Sequence, residues 1–421
     1  MRTQRVLAGP DHYAVRPTTT LEEKTMNHWN VRLASCFATV MASLLPAQAG
    51  VFIVDAASGP GTHYTSLQAA VGAVPDGSTL IVRSGSYGAI DIVARDVAVL
   101  GEPGATVQQL GVHNTSSQQR VLVTGLLVQF GITVGNTSGP VILDGGGQTL
   151  FFGGGSIVLV QDAAQVHLRG WRATQQGWLG NPCTLVNSNA VIEQCTMTGV
   201  NFVGPGQGAS SGISAQTSQV TLIDTHSYGG NGGTMYVPFP LHNPGGAAIE
   251  LLDATVHVAG TSELRGGLNS PLVGGRAAAL RSSFNPAGTA QLAASVVTST
   301  PLASNTTVLP LAASLLRATS AGLGGAVGAV RSGTPNTACA MLASLGVAPF
   351  EFPGIEGPIW LDPATLVLVA LGLSDSNGDL TASLPVPNLQ ALLGFTFIWQ
   401  AADLDTLGGL HLSNPSASYV F

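Results

Sequence analysis

Charged side chains are scarce in this sequence. They make up 9% of its 421 residues, against about 25% in an ordinary globular chain. Lys and Arg total 15 and the formal net charge is -7, so no basic footprint is present for a phosphate backbone. Nucleic acid is excluded as a partner on that ground. Acidic runs are missing too, and 45% of the residues are hydrophobic, which excludes a disordered acidic chain. Cysteine occurs four times, with no Cys-x-x-Cys or Cys/His spacing of the zinc-binding kind. No stretch after residue 50 is apolar enough for a transmembrane helix. Residues 361–373 come nearest, but Asp362, Pro363 and Gly372 interrupt them.

What is abundant is glycine, at 54 residues, together with Ala, Ser, Thr and Val. That mixture suits short strands joined by many tight turns. Residues 64–100 show the arrangement. Ser66 is a fitting N-cap, and Leu67, Ala70, Val71 and Val74 recur at helical spacing, which predicts a short amphipathic helix. Pro75, Asp76 and Gly77 end it in a turn. The period then changes. Short apolar runs at residues 80–82, 90–92 and 97–100 are each cut by Gly, Ser, Asp or Arg. They are too short and too close together for helices and suit strands that turn a corner every few residues.

Leu67 to Val71, Asp76-Gly77, Leu80 to Val82, and Gly85 with Tyr87 stand in an order that resembles the opening of right-handed parallel β-helix proteins of the pectin-lyase-like kind. The resemblance implies a helix capping the open end of a stack of coils. It carries no chemistry, because one fold hosts many functions.

Ahead of this stretch, Arg32, an apolar run at residues 33–45 and Ala47-Gln48-Ala49 have the layout of a signal peptide beginning at Met26. The mature chain is then expected to start at Gly50, and residues 1–49 to lie outside the fold. The competing reading is a membrane anchor. An exported chain permits disulfides. Cys183 and Cys195 are either such a pair or two small buried residues, and both readings stay open.

An internal repeat occupies residues 157–172, 183–199, 212–229 and 247–266. Each copy reads as an apolar strand, a small polar corner, a second alternating strand and a polar or Gly-rich turn. Val166, Val191, Val220 and Val256, spaced by 25, 29 and 36 residues, are expected to stack as one interior ladder. The unequal spacing places loops of varying length at one corner. Such coils bury an apolar face only by stacking on each other. The reading is therefore all-β: a right-handed parallel β-helix at residues 50–285, a linker at 286–310, and a small β-sandwich-like module at 311–421. In the module, Val386-Pro387, Leu393-Gly394, Trp399-Gln400-Ala401 and Leu412-Ser413-Asn414 resemble the C-terminal modules of large secreted bacterial β-rich proteins. Turns are expected at Pro353-Gly354, Asp362-Pro363 and Asn377-Gly378.

Chemistry is harder to find. Polygalacturonase-like hydrolases carry clustered Asp residues with Gly-His-Gly and Arg-x-Lys, and pectate-lyase-like sites carry calcium-binding acids with an Arg; neither set is present. Gln161-Asp162 and Arg169 with Trp171 are similar to elements of pectin methylesterases, but the second Asp is missing. The remaining catalytic candidates are Asp224, His226 and Glu250, where two neighbouring coils would bring a carboxylate and an imidazole together behind the loop at residues 230–246. His167 and His257 are expected on one sheet face without meeting. Asp375, Asn377 and Asp379 have the look of half a calcium loop, but Asn-Gly between apolar runs is also a hairpin signal. No cofactor is implied. The expectation is an exported structural or polysaccharide-binding protein of the cell surface or extracellular space, without a uronate-enzyme catalytic site, whose partners are extracellular polysaccharide or cell-surface components. The alternative is a carbohydrate-active enzyme, a lyase, hydrolase or esterase using the groove.

Overall fold

The computed structural model describes residues 50–421 apart from 146–147, 153–155, 177–179, 202–208, 238, 272, 283–287, 311–313, 351–354, 357–358 and 405–407. The signal-peptide segment and the turn at Pro353-Gly354 lie outside the described residues. The described chain is built almost wholly of strands, with one short α-helix, Leu67–Ala73, here α1. Ser66 caps it through a 3.3 Å bond from the Ala69 amide to its hydroxyl. Leu67, Ala70 and Val71 are buried at the start of the core.

Three parallel sheets of stacked strands follow, of eleven, ten and six strands. We call them the first, second and third sheets. One coil crosses all three. Ile213–Gln216 lies in the second sheet, Gln219–Ile223 in the first and His226–Tyr228 in the third. This is a parallel β-helix, with an interior of Val, Leu, Ile and Ala running from Val54 to Ala290.

The corners explain the glycine and asparagine content. Between second and first sheets stand Asn114, Asn136, Asp162, Asn187, Thr217 and Asp253, with φ between 47° and 57°. Between first and third stand Gly145, Gly170, Gln194, Asp224 and Gly260, also at positive φ. A sharp corner needs one left-handed residue, which Gly adopts freely and Asn or Asp tolerates. Among the described residues the third corner has no such column, and it carries a hairpin of Thr234–Val237 with Phe239–His242.

Three expectations need correction. The polar triplets at the ends of the repeats, taken as turns, are the strands of the third sheet: Thr196–Thr198, His226–Tyr228 and Glu263–Arg265. The segment taken as a linker at 286–310 is a further part of the stack, with Thr289–Leu292, Val297–Thr298, Ala303–Ser304 and Thr307–Pro310 extending all three sheets. Its small polar residues show no hydrophobic period. Third, the interior ladder is Val166, Ala190, Val220 and Val256. Val191 stands one residue along, opposite His167 and Thr221, and faces outward. A one-residue slip reverses the face of every side chain.

After residue 314 the strands become mainly antiparallel. Leu315–Thr319, Ala326–Ser332 and Asp379–Pro385 make one sheet, and Ala338–Ser344, Val367–Leu373, Thr396–Leu404, Leu410–Leu412 and Ser416–Tyr419 belong to a larger one. A buried ion pair, Arg331 to Asp403 at 2.9 Å, ties the two together. The described residues belong to one compact unit. The module packs on the outside of the first sheet. Ala98, Leu100, Leu122 and Ile142 of the coils are buried against Leu361, Ile398, Ala417 and Tyr419. Val191, Ile223 and Ala259 meet Leu315. Gly394 passes so close that a Cβ there would lie 2.4 Å from that of Ala98, and its φ is +78°.

Candidate functional site

The sequence candidates separate in space. Asp224 fills a left-handed corner. Its carboxylate accepts Arg317 Nε and Nη2 at 2.7 and 2.9 Å and the Thr261 amide at 2.7 Å. Burial pushes this carboxyl up, but the Arg317 guanidinium and the Thr261 bonds outweigh it and hold it below the usual range. Asp224 therefore fastens the module to the coils. Glu250 lies in the second sheet, between Ser214 and Arg281 in register. It accepts Ser211 Oγ at 3.2 Å and pairs with Arg281 at 3.4 Å. His226 is in the third sheet, and its register partner is Glu263. The carboxylate that meets the imidazole is thus Glu263, one coil on.

The residues similar to pectin-methylesterase elements also part company. Asp162 sits at a corner and accepts Asn187 Nδ2 at 2.8 Å. Arg169 is paired with Asp144 and reaches the Ala318 and Ala417 carbonyls and the Ser320 hydroxyl of the module. Trp171 is buried, donating its ring N–H to the Leu143 carbonyl at 2.9 Å. Cys183 and Cys195 are free thiols inside the coils. Burial pushes both up, Cys195 to about 12, so neither is a reactive thiolate. Near Asp375, its carboxylate accepts the Asn377 and Asp379 amides at 2.8 Å each. Those bonds, the Asp379 amide foremost, hold its carboxyl low. The turn passes the chain between the two sheets of the module, so Val367–Leu373 and Asp379–Pro385 are not ladder partners.

The remaining polar cluster is on the outer face of the third sheet. Inward positions of these strands are Ala173, Met197, Ser227 and Leu264, all buried. Period two then turns their neighbours outward. One row reads Arg172, Thr196, His226, Glu263, and the next Thr174, Thr198, Tyr228, Arg265. The His226 and Tyr228 rings lie nearly parallel, 5° apart with centroids at 6.3 Å. Tyr228 donates its hydroxyl to Glu263 at 2.6 Å. His226 Nδ1 stands 3.6 Å from the same oxygen, and Arg265 pairs with the other. Burial, and then the bond to Glu263, push Tyr228 up to about 12, so it stays a donor. Arg172 and Arg265 are exposed. Chemically this is a flat strip with an aromatic pair, two cationic forks and threonine hydroxyls. Among the described residues it carries one carboxylate, and no cluster of His, Cys, Asp or Glu has metal-binding geometry. No helix among the described residues is long and apolar enough to cross a membrane.

Sequence reasoning missed Glu263, Tyr228 and Arg265. Part of the signal was present: the triplets at Thr196 and His226 follow the strands before them at one offset, but Glu263 follows at one residue more, which hid its register with His226.

No protein-family profile matches this sequence, and no curated protein matches it. Two solved structures show a distant likeness. Full-length tailspike protein 2 of an Escherichia coli O157:H7 bacteriophage is 10% identical, with a TM-score of 0.23, covering 87% of this chain and 68% of that one. The enzymatically active domain of tailspike protein 2 from bacteriophage CBA120 is 11% identical, with a TM-score of 0.27, covering 87% and 76%. At those values the likeness carries nothing about function, and the β-helix rests on this chain's own three parallel sheets.

Proposed function

We propose that this chain is an exported, non-catalytic protein of the cell surface or extracellular space that binds polysaccharide along the outer face of the third sheet. The observation that carries the reading is the His226–Tyr228 stack beside Glu263, Arg265 and the threonine rows. Extended sugar chains offer hydroxyls to bond and flat apolar ring faces to cover. Aromatic rings with a polar edge serve both needs, and arginine forks suit carboxylate-bearing sugars. Coils about 4.8 Å apart repeat such groups along a line. The test is calorimetric titration of the purified chain with pectin, alginate, polygalacturonate and neutral glucans. Saturable binding without turnover, lost in the His226→Ala/Tyr228→Ala variant, is expected. Unchanged binding in that variant overturns the site.

The enzyme alternative has one specific observation in its favour, the imidazole 3.6 Å from a carboxylate oxygen. Against it, both Glu263 oxygens already hold partners, and hydrolysis requires a second carboxylate across the bond. Turnover of any of these polymers that disappears in Glu263→Gln would replace the binding reading.

A further inference from the structure

The loop between Val51–Val54 and α1 closes on itself. The Asp55 amide donates to the Tyr64 carbonyl and the His63 amide to the Ile53 carbonyl, each at 2.9 Å, so its two ends meet. Within it the Asp55 carboxylate accepts the Ala57 and Gly59 amides at 2.8 and 2.9 Å and Arg83 Nη1 at 3.0 Å. Arg83 Nη2 donates to the Pro60 carbonyl at 2.9 Å. Those bonds surround Ser58, whose φ of 55° is left-handed although it stands on a loop and not at a coil corner. A compact loop with joined ends, holding a strained residue in place, is a common carrier of function. Against the start of α1 this loop walls a cleft of about 450 Å³. Small-molecule sites span about 300–1,000 Å³.

We infer that this cleft binds a single neutral sugar ring. Three features select that class. The walls carry no charged side chain, since Asp55 and Arg83 are paired with each other and are not among them. His63 Nδ1 accepts the Ile53 amide at 3.0 Å, so the ring keeps its proton on Nε2 as a neutral donor. A carboxylate or phosphate entering here would lose hydration with no cation to replace it. The second feature is hydroxyls. Among the described residues those of Ser58, Tyr64 and Thr65 hold no partner. The Thr62 hydroxyl gives its proton to the Gly59 carbonyl at 2.6 Å and keeps its lone pairs. A lining of mixed donors and acceptors matches a ligand with a hydroxyl on most of its ring carbons. The third is aromatic surface. Tyr64 and His63 offer flat faces for the apolar side of a sugar. Phe52 meets both edge-on, with centroids at 6.1 and 5.7 Å, so the rings are placed before a ligand arrives. The cleft shares no residue with the third-sheet strip, and the inference stands apart from that reading.

Saturation-transfer NMR of the purified chain tests this with glucose, galactose, mannose and N-acetylglucosamine, and with galacturonate as the charged comparison. The few atoms of one ring support a Kd of about 1 mM. At least one neutral sugar is expected to bind saturably near that strength, and galacturonate at least about fivefold more weakly than galactose. Tyr64→Phe removes a hydroxyl alone and should weaken binding about threefold to tenfold. Ala69 is exposed on α1 and lines the cleft, so Ala69→Trp should fill it and abolish binding, with melting unchanged in both variants. Absence of saturable binding by any of the four neutral sugars overturns the inference. So does galacturonate binding as tightly as galactose, or sugar binding that survives Ala69→Trp in a folded chain. If Ala69→Trp misfolds, Tyr64→Phe decides: a folded variant that binds as tightly as wild type overturns it.

Discussion

The first and third sheets are made by the same coils, yet their outer faces differ. The first is covered. Its outward residues, from Ala98 to Ala259, are mostly small or apolar and lie under the module, and its charged groups Asp144, Arg169, His167 and Glu193 are paired and half-buried or buried. The third is open and carries the stacked rings and the exposed arginines. Inside, the two sheets are alike. An outward position on a β-helix is thus free to serve either docking or recognition, while an inward one is committed to the core.

Experiments that break this comparison differ in size. Replacing an inward residue should do most. Val220→Asp places an unpaired charge in the interior, at a cost of about 4 kcal/mol or more, and far-UV circular dichroism should show the coils themselves melting early. The same change one ladder outward, Val191→Asp, should free the module from coils that stay folded, read as an early proteolytic cut between the two. Equal loss of the coils in both would erase the distinction between the faces. Next is Gly394→Val. A side chain there meets Ala98 and Thr79 at a φ only glycine adopts freely. The cost should be about 2–3 kcal/mol, again seen as release of the module.

Arg317→Ala leaves Asp224 with the Thr261 bonds alone and should weaken docking by about 1–2 kcal/mol, since Arg317 is partly exposed. Acid should act on the same contact. The Asp224 carboxyl titrates lower in the folded chain than in the unfolded one. Its contribution is complete above about pH 4 and is lost as the pH falls through that lowered value. Protease sensitivity of the seam should therefore rise below about pH 4, and Arg317→Ala should flatten that step. Smallest is the open face. His226→Ala with Tyr228→Ala should change stability by no more than about 0.5 kcal/mol while abolishing polysaccharide binding. A large drop in melting temperature would mean that the stack is structural.

The covered face also marks the limit of what was legible. Alternation in the second-sheet strands, the polar corners and α1 could be read directly, because one side of each strand meets water or one turn needs a special residue. In Asn189–Glu193 the run Ala190, Val191, Ile192 is apolar throughout, since the module covers its outer side. A strand buried on both faces has no period, and Val191 was placed inward for that reason. The corner at Asp162 holds one residue more than those at Asn187, Thr217 and Asp253 before its interior residue is reached, which reinforced the slip. Asp224 was singled out for chemistry because its partner, Arg317, is 93 positions away and nothing local announces it. His226 was found, but Glu263 lies 37 residues later across a loop of unmatched length.

That loop points to how such a chain can change. Two corners of the central coils are fixed by a left-handed residue whose replacement would strain the turn, while the third accepts anything from the short link between Val297–Thr298 and Ala303–Ser304 to the stretch that holds the hairpin at residues 234–242. Insertions at the third corner leave the pitch of the stack untouched. The scaffold therefore separates inheritance of shape from variation of content. Segments grafted between Tyr228 and Ile249 should be carried as cargo by coils that do not register their length, and related chains would be expected to diverge there first.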